Sequence, residues 1–146
     1  IGGRQWAGPL NFSQHLNTAD RKFAALYARQ SVPAKFLIGC LVFFDRRLLS
    51  QIGDYDEKLP LGADDFDLAL RIREKGYRLR IAQDVLIEHA VHASFKRSDP
   101  ATNDQLATAS WDHFHRKWAS ELQTYGWNRL FEDDTPVFPH ERSFTA

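Results

Sequence analysis

The chain has 146 residues, a length that suits one domain or a large piece of one and that can bury a real core. Apolar residues make up 43% of it, which excludes disorder across the whole chain. Lys and Arg together number 19, as do Asp and Glu, so the formal charge is zero and neither a strongly basic nucleic-acid binder nor a polybasic membrane surface is expected.

Residues 1–18 read as loop, with Gly2, Gly3, Gly8, Pro9, Asn11 and Ser13 as turn formers. Thr18 to Gln30 reads as a helix, capped by Thr18 or Asp20 and ended by Pro33. Phe36 to Phe44 is the longest apolar run. It is expected to be a strand buried on both faces, with Gly39 where another backbone approaches closely. The run is far short of the ~20 residues that span a bilayer. The single cysteine, Cys40, lies inside it and is expected to be a buried small hydrophobe. Asp45 to Ile52 reads as a short helix stopped by Gly53.

Asp64 to Lys75 carries the clearest helical signal. It opens with acids, closes with Arg71, Arg73 and Lys75, and ends at Gly76. Phe66 with Leu70, and Leu68 with Ile72, form its apolar faces. Tyr77 to Ile81 and Val85 to Glu88 read as strands, and His89 to Pro100 as loop. Ala101 to Leu122 reads as a long helix with Trp111, Phe114 and Trp118 on one core face. Residues 132–146 look like a tail that needs a surface to dock on. There is no Met and residue 1 is Ile, so the chain is expected to be a piece of a longer protein or a processed product.

Three aspartates, Asp64, Asp65 and Asp67, stand where a loop becomes a helix. Acids there complement the helix dipole and satisfy free N–H groups. Three are more than capping requires, because like charges this close raise one another's pKa. A site that needs a carboxylate base near neutral pH would use that arrangement. Downstream, His89 follows a strand end, where a neutral imidazole could ligate a divalent metal; His92 carries the blander reading of a surface histidine. His113 and His115 lie two apart on a helix, so they face different ways and read as structural.

Residues 36–95 resemble the second half of family 2 glycosyltransferases with a GT-A fold. The resemblance lies in an ordered series. The apolar run Phe36 to Phe44 is followed by Asp45-Arg46-Arg47, then by Gln51-Ile52-Gly53-Asp54-Tyr55-Asp56-Glu57. Gly62-Ala63-Asp64-Asp65-Phe66-Asp67-Leu68 is similar to the family's Glu-Asp-x-Asp-Leu, with Asp64 where the family usually has Glu. Arg71 with Gly76-Tyr77, then His89 with Ser94-Phe95, complete it. Gly8-Pro9-Leu10-Asn11 and Phe114-His115-Arg116-Lys117-Trp118 extend it more loosely, over most of residues 8–118.

The resemblance implies an α/β fold: a partial GT-A-like domain with a small mixed sheet packed by helices, then a long C-terminal helix and tail. Residues 1–100 would be the acceptor-side half and residues 101–146 would pack on it. It implies inverting transfer of a sugar from a nucleotide-sugar donor (UDP-, GDP- or dTDP-linked) to a hydroxyl of a glycan or lipid-linked acceptor. Asp65 would be the catalytic base, Asp64, Asp67 and Arg71 would bind acceptor or support the site, and His89 would complete the shell of a divalent metal, Mn²⁺ or Mg²⁺. The family's donor-binding half, with its own Asp-x-Asp motif, has no counterpart upstream of Gly8, so this chain by itself is expected to bind nucleotide sugar poorly and to be inactive. A cytoplasmic location is implied, with peripheral contact to the inner membrane face open to Trp6, Trp127, Phe131 or the tail; no nucleic-acid partner is expected. Two other readings remain open at this point. One is a non-catalytic carbohydrate- or protein-binding module. The other is an unrelated α/β metal hydrolase using Asp64, Asp65, Asp67 and His89.

Overall fold

The computed structural model describes residues 16–87 and 99–141. They form a mixed α/β arrangement of five α-helices and one two-stranded antiparallel sheet. The helices are α1 (Leu16–Leu26), α2 (Leu49–Ile52), α3 (Asp64–Glu74), α4 (Pro100–Lys117) and α5 (Ala119–Phe131). The strands β1 (Ser31–Ala34) and β2 (Leu79–Ala82) pair with Ser31 opposite Ala82 and Ala34 opposite Leu79.

Helix α3 is the axis of the molecule, and its sequence shows why it begins and ends where it does. Acids fill its first turn and Arg71 and Arg73 its last, each charge matched to the end of the helix dipole. Gly76 then takes φ +79°, its N–H bonds to Arg73 O at 2.8 Å, and Tyr77 N–H reaches back to Ile72 O at 3.2 Å. That pair of bonds closes the helix with a left-handed residue, a role glycine fills without steric cost. The two apolar faces of α3 enter two cores. Leu70 packs with Phe114, Trp118, Leu130, Phe131 and Phe138, with Phe66 against the same group. Leu68, Ala69 and Ile72 pack with Leu48, Ile52 and Leu79.

Several expectations are corrected. Residues 36–44 form no strand; the ladder lies just upstream, at 31–34, and includes Pro33, expected only to end the preceding helix. Proline cannot donate to a ladder, and it is tolerated here because each strand of a two-stranded sheet is an edge. An apolar run becomes a buried strand only with a partner strand alongside, and among the described residues none pairs with 36–44. Phe43 is accordingly 86% exposed, and Cys40, in a turn, is exposed rather than buried. The second strand begins at Leu79, not Tyr77, and residues 85–87 are not a strand. Glu88 lies outside the described residues. The N-terminal helix ends at Leu26, short of Gln30.

The long C-terminal helix is two. Asp99 accepts from Thr102 N–H at 3.0 Å, with Pro100 in the first turn, and starts α4. The backbone leaves helical geometry at Trp118, and α5 bends again at Gly126, where φ is +70°. The expected tail docks on α3. Val137 and Phe138 are buried, and Glu141 Oε1 accepts from Arg73 Nε at 2.5 Å. Arg73 also donates to Leu130 O at 2.6 Å and Lys35 O at 3.1 Å. Lys35, itself buried, reaches Asp133 at 3.1 Å and the carbonyls of Arg129 and Thr135. Phe131 is buried and the half-buried Trp127 lies tilted against it, ring centroids 4.6 Å apart. No helix among the described residues is long and apolar enough to cross a membrane.

Candidate functional site

The three aspartates share one turn but not one environment. Ala63, just before them, holds a left-handed backbone with φ +64° and is buried, with Gly62 at +84° ahead of it. A non-glycine residue persists in that conformation only where its surroundings enforce it. The two residues swing the chain sharply into α3 and set the direction in which its first acids point.

Asp67 turns inward. It is fully buried, and its oxygens accept from Trp118 Nε1 at 2.9 Å and Arg71 Nε at 2.8 Å, with Lys117 Nζ 2.8 Å from Oδ1. Arg71 continues to Ile52 O at 2.7 Å and Gly53 O at 3.1 Å, which ties α3 to the end of α2. Both side chains therefore support the architecture of the site. Lys117 also bonds Asp56 at 2.8 Å, and His113 meets the same Asp56 oxygen at 3.1 Å. The Lys117 ammonium is the main reason the Asp56 carboxyl is held well below the ordinary carboxylate range, with His113 adding to it against the opposing effect of burial. This bridge between the 54–62 loop and α4 was not visible in the sequence. Only the Asp67–Arg71 contact, at i,i+4 spacing, could have been found there.

Asp65 faces the other way. It is half-buried at the edge of a small apolar recess formed by Leu37, Val42, Leu68, Ala69, Ile72 and Leu79, with room for about one water molecule. Gly39 N–H donates to its Oδ2 at 2.9 Å. Burial pushes the Asp65 carboxyl above its usual pKa, the neighbouring Asp64 adds to the rise, and the Gly39 amide opposes it. Tyr55 stands close enough for its phenol to feel both acids: burial first, then Asp65 and Asp64, raise its pKa. A carboxylate made more basic and partly open to solvent can take a proton from a bound hydroxyl.

The structure thus leaves Asp65 at the edge of the recess with Asp64 beside it, and sends Asp67 and Arg71 into the scaffold. His89 and His92 lie outside the described residues. Among the described residues no three His, Cys, Asp or Glu side chains converge to hold a metal ion. Tyr55 escaped the sequence reading because nothing in its spacing ties the 54–62 loop to α3. Compared with family models, curated proteins and solved structures, the chain has no match.

Proposed function

We propose that this chain is the acceptor side of an inverting glycosyltransferase of the family 2 type, with a partial GT-A-like domain and Asp65 as the general base. The observation that carries the reading is the environment of Asp65: a half-buried carboxylate with raised proton affinity, located in the segment that resembles the family's acidic motif. In this reaction the acceptor O–H bond breaks and its proton passes to Asp65. The freed oxygen bonds to the anomeric carbon, and the electron pair of the broken C–O bond leaves with the nucleoside diphosphate. A single in-line displacement inverts the anomeric centre. Asp64 raises the basicity of Asp65, and Asp67 and Arg71 hold the helix that presents it.

The nucleotide sugar belongs, in this proposal, to a donor-binding half that partners residues 16–141. A divalent cation would neutralise the leaving diphosphate there. Among the described residues no three ligating side chains converge to hold such an ion, and His89, the expected ligand, lies outside them. The acceptor is a glycan or lipid-linked sugar, and the setting is the cytoplasmic face of a membrane.

The test is Asp65→Asn in the complete protein, assayed for transfer from a panel of labelled UDP-, GDP- and dTDP-sugars. Loss of about 10²–10⁴-fold in kcat is expected. Transfer near the parent rate overturns the assignment. The second reading, a non-catalytic carbohydrate- or protein-binding module, draws on the exposed apolar side chains Leu41, Phe43 and Val85, which suit a partner surface. It is distinguished by glycan or protein binding that needs neither metal nor nucleotide.

A further inference from the structure

The hydrogen bond on Asp65 comes from outside its own helix. Residues 36–39 leave β1 and cross the first turn of α3. Phe36 stacks on Phe66 with ring centroids 4.5 Å apart and planes 15° apart. Three residues later the Gly39 amide meets Asp65 Oδ2, a contact spanning 26 positions of sequence. Stacking at one end of the segment therefore sets where the amide stands at the other.

Conformational freedom does not explain glycine at this position, because its φ lies outside the left-handed range. Space does. A Cβ on Gly39 would overlap Asp65 Oδ1 and would stand 3.2 Å from Cγ and 3.5 Å from Oδ2. Any side chain at position 39 would have to displace the carboxylate or move the segment that carries it. The same residue thus supplies a donor and vacates the volume its acceptor fills.

We infer that Gly39 is the positioning residue for Asp65: its amide fixes the orientation of the carboxylate, and its bare Cα makes the space the carboxylate occupies. The catalytic consequence rests on the proposed role of Asp65, whereas the clamp itself is a property of the folded chain. Because the amide prefers the ionised carboxylate, it works against burial and Asp64 and keeps the base in the form that can accept a proton. It engages one oxygen and leaves the remaining lone pairs for the acceptor hydroxyl. A base held in one orientation matters because a misplacement of about 1 Å can cost 10²-fold in rate.

The experiment follows two resonances in the isotope-labelled chain as pH is raised from about 3 to about 8, across the carboxylate range. The Gly39 amide proton is expected to titrate with the same midpoint as the Asp65 carboxyl carbon, and its titration is expected to vanish in Asp65→Asn. A Gly39 amide that stays flat while Asp65 titrates overturns the inference. In Gly39→Ala the Asp65 midpoint is expected to rise. In the complete protein, kcat should fall about 10²-fold with KM for the donor retained, and the acid limb of the pH–rate profile should move to higher pH. An unchanged Asp65 midpoint in a folded Gly39→Ala protein also overturns it. If that variant does not fold, the amide titration of the parent chain decides alone. The two readings separate cleanly. An amide that tracks Asp65 while Asp65→Asn retains transfer removes the catalytic role and keeps the clamp. A flat amide with an inactive Asp65→Asn does the reverse.

Discussion

Asp65 and Asp67 stand two residues apart on α3, and replacing each by asparagine should move stability in opposite directions. Asp67 is wholly buried and satisfies Trp118 Nε1, Arg71 Nε and Lys117 Nζ within 2.9 Å. Asparagine keeps the shape and one accepting oxygen, but it removes the charge that Arg71 and Lys117 face and turns an N–H₂ towards donors. Breaking a buried pair on one side costs about 3–5 kcal/mol, and the retained Trp118 bond places Asp67→Asn near the low end, about 3 kcal/mol. Asp65 has the reverse logic. Its folded-state pKa is raised, so its contribution is most favourable below the ordinary carboxylate pKa and is lost as pH rises through the folded value. At pH 7 the ionised group therefore opposes folding. Removing it should stabilise the chain by about 0.5–1 kcal/mol, discounted for the solvent that still reaches it. A chain of 146 residues unfolds with an entropy that converts each kcal/mol into about 3 °C of Tm. Urea and thermal melts at pH 7 should show Asp67→Asn down by about 9 °C and Asp65→Asn up by about 1.5–3 °C, with the urea slope unchanged. The gain in Asp65→Asn should disappear below about pH 4. A loss under about 1 kcal/mol for Asp67→Asn, or the same sign for both variants, refutes the division of roles between them.

Arg73→Met should destabilise by about 3–5 kcal/mol, because it strands the Glu141 carboxylate together with the carbonyls of Lys35 and Leu130. Faster hydrogen exchange at the amides of Val137 and Phe138, whose partner is Glu141 Oε2, would show that residues 132–141 have come off α3. Burial works against the Glu141 carboxylate, yet Arg73 and the amides of Val137 and Phe138 outweigh it and hold its pKa below the usual range. A depressed carboxylate contributes stability above its unfolded pKa and loses it as pH falls through the folded value. Stability should therefore decline from about pH 4 downwards, and Glu141→Gln should lose stability at pH 7 while flattening that decline in acid titrations.

The helix that carries the candidate base was legible because its signals are local. Acids at one end, arginines at the other and Gly76 beyond act within a turn or two, and each apolar face of α3 enters the core that its spacing implies. The apolar run 36–44 misled for a physical reason: hydrophobicity favours burial but does not choose a ladder partner, and β2 pairs with 31–34 instead. Gly39 was visible as a place of close approach, but what approaches is a side chain 26 positions away.

By itself, the order of residues determined where α3 begins and ends, which of its faces are apolar, and that three carboxylates crowd its first turn. Each of these follows from interactions over a few residues. Only the tertiary structure decided which carboxylate does what. Trp118 and Lys117, some fifty positions on in the chain, close over Asp67 and make it part of the scaffold. An apolar recess receives Asp65 and raises its proton affinity, the Gly39 amide opposes that rise and orients the carboxylate, and solvent still reaches it. Proton affinity is set by burial and by the donors and charges around a group. Chemically identical side chains two positions apart acquire different roles when the fold surrounds them differently.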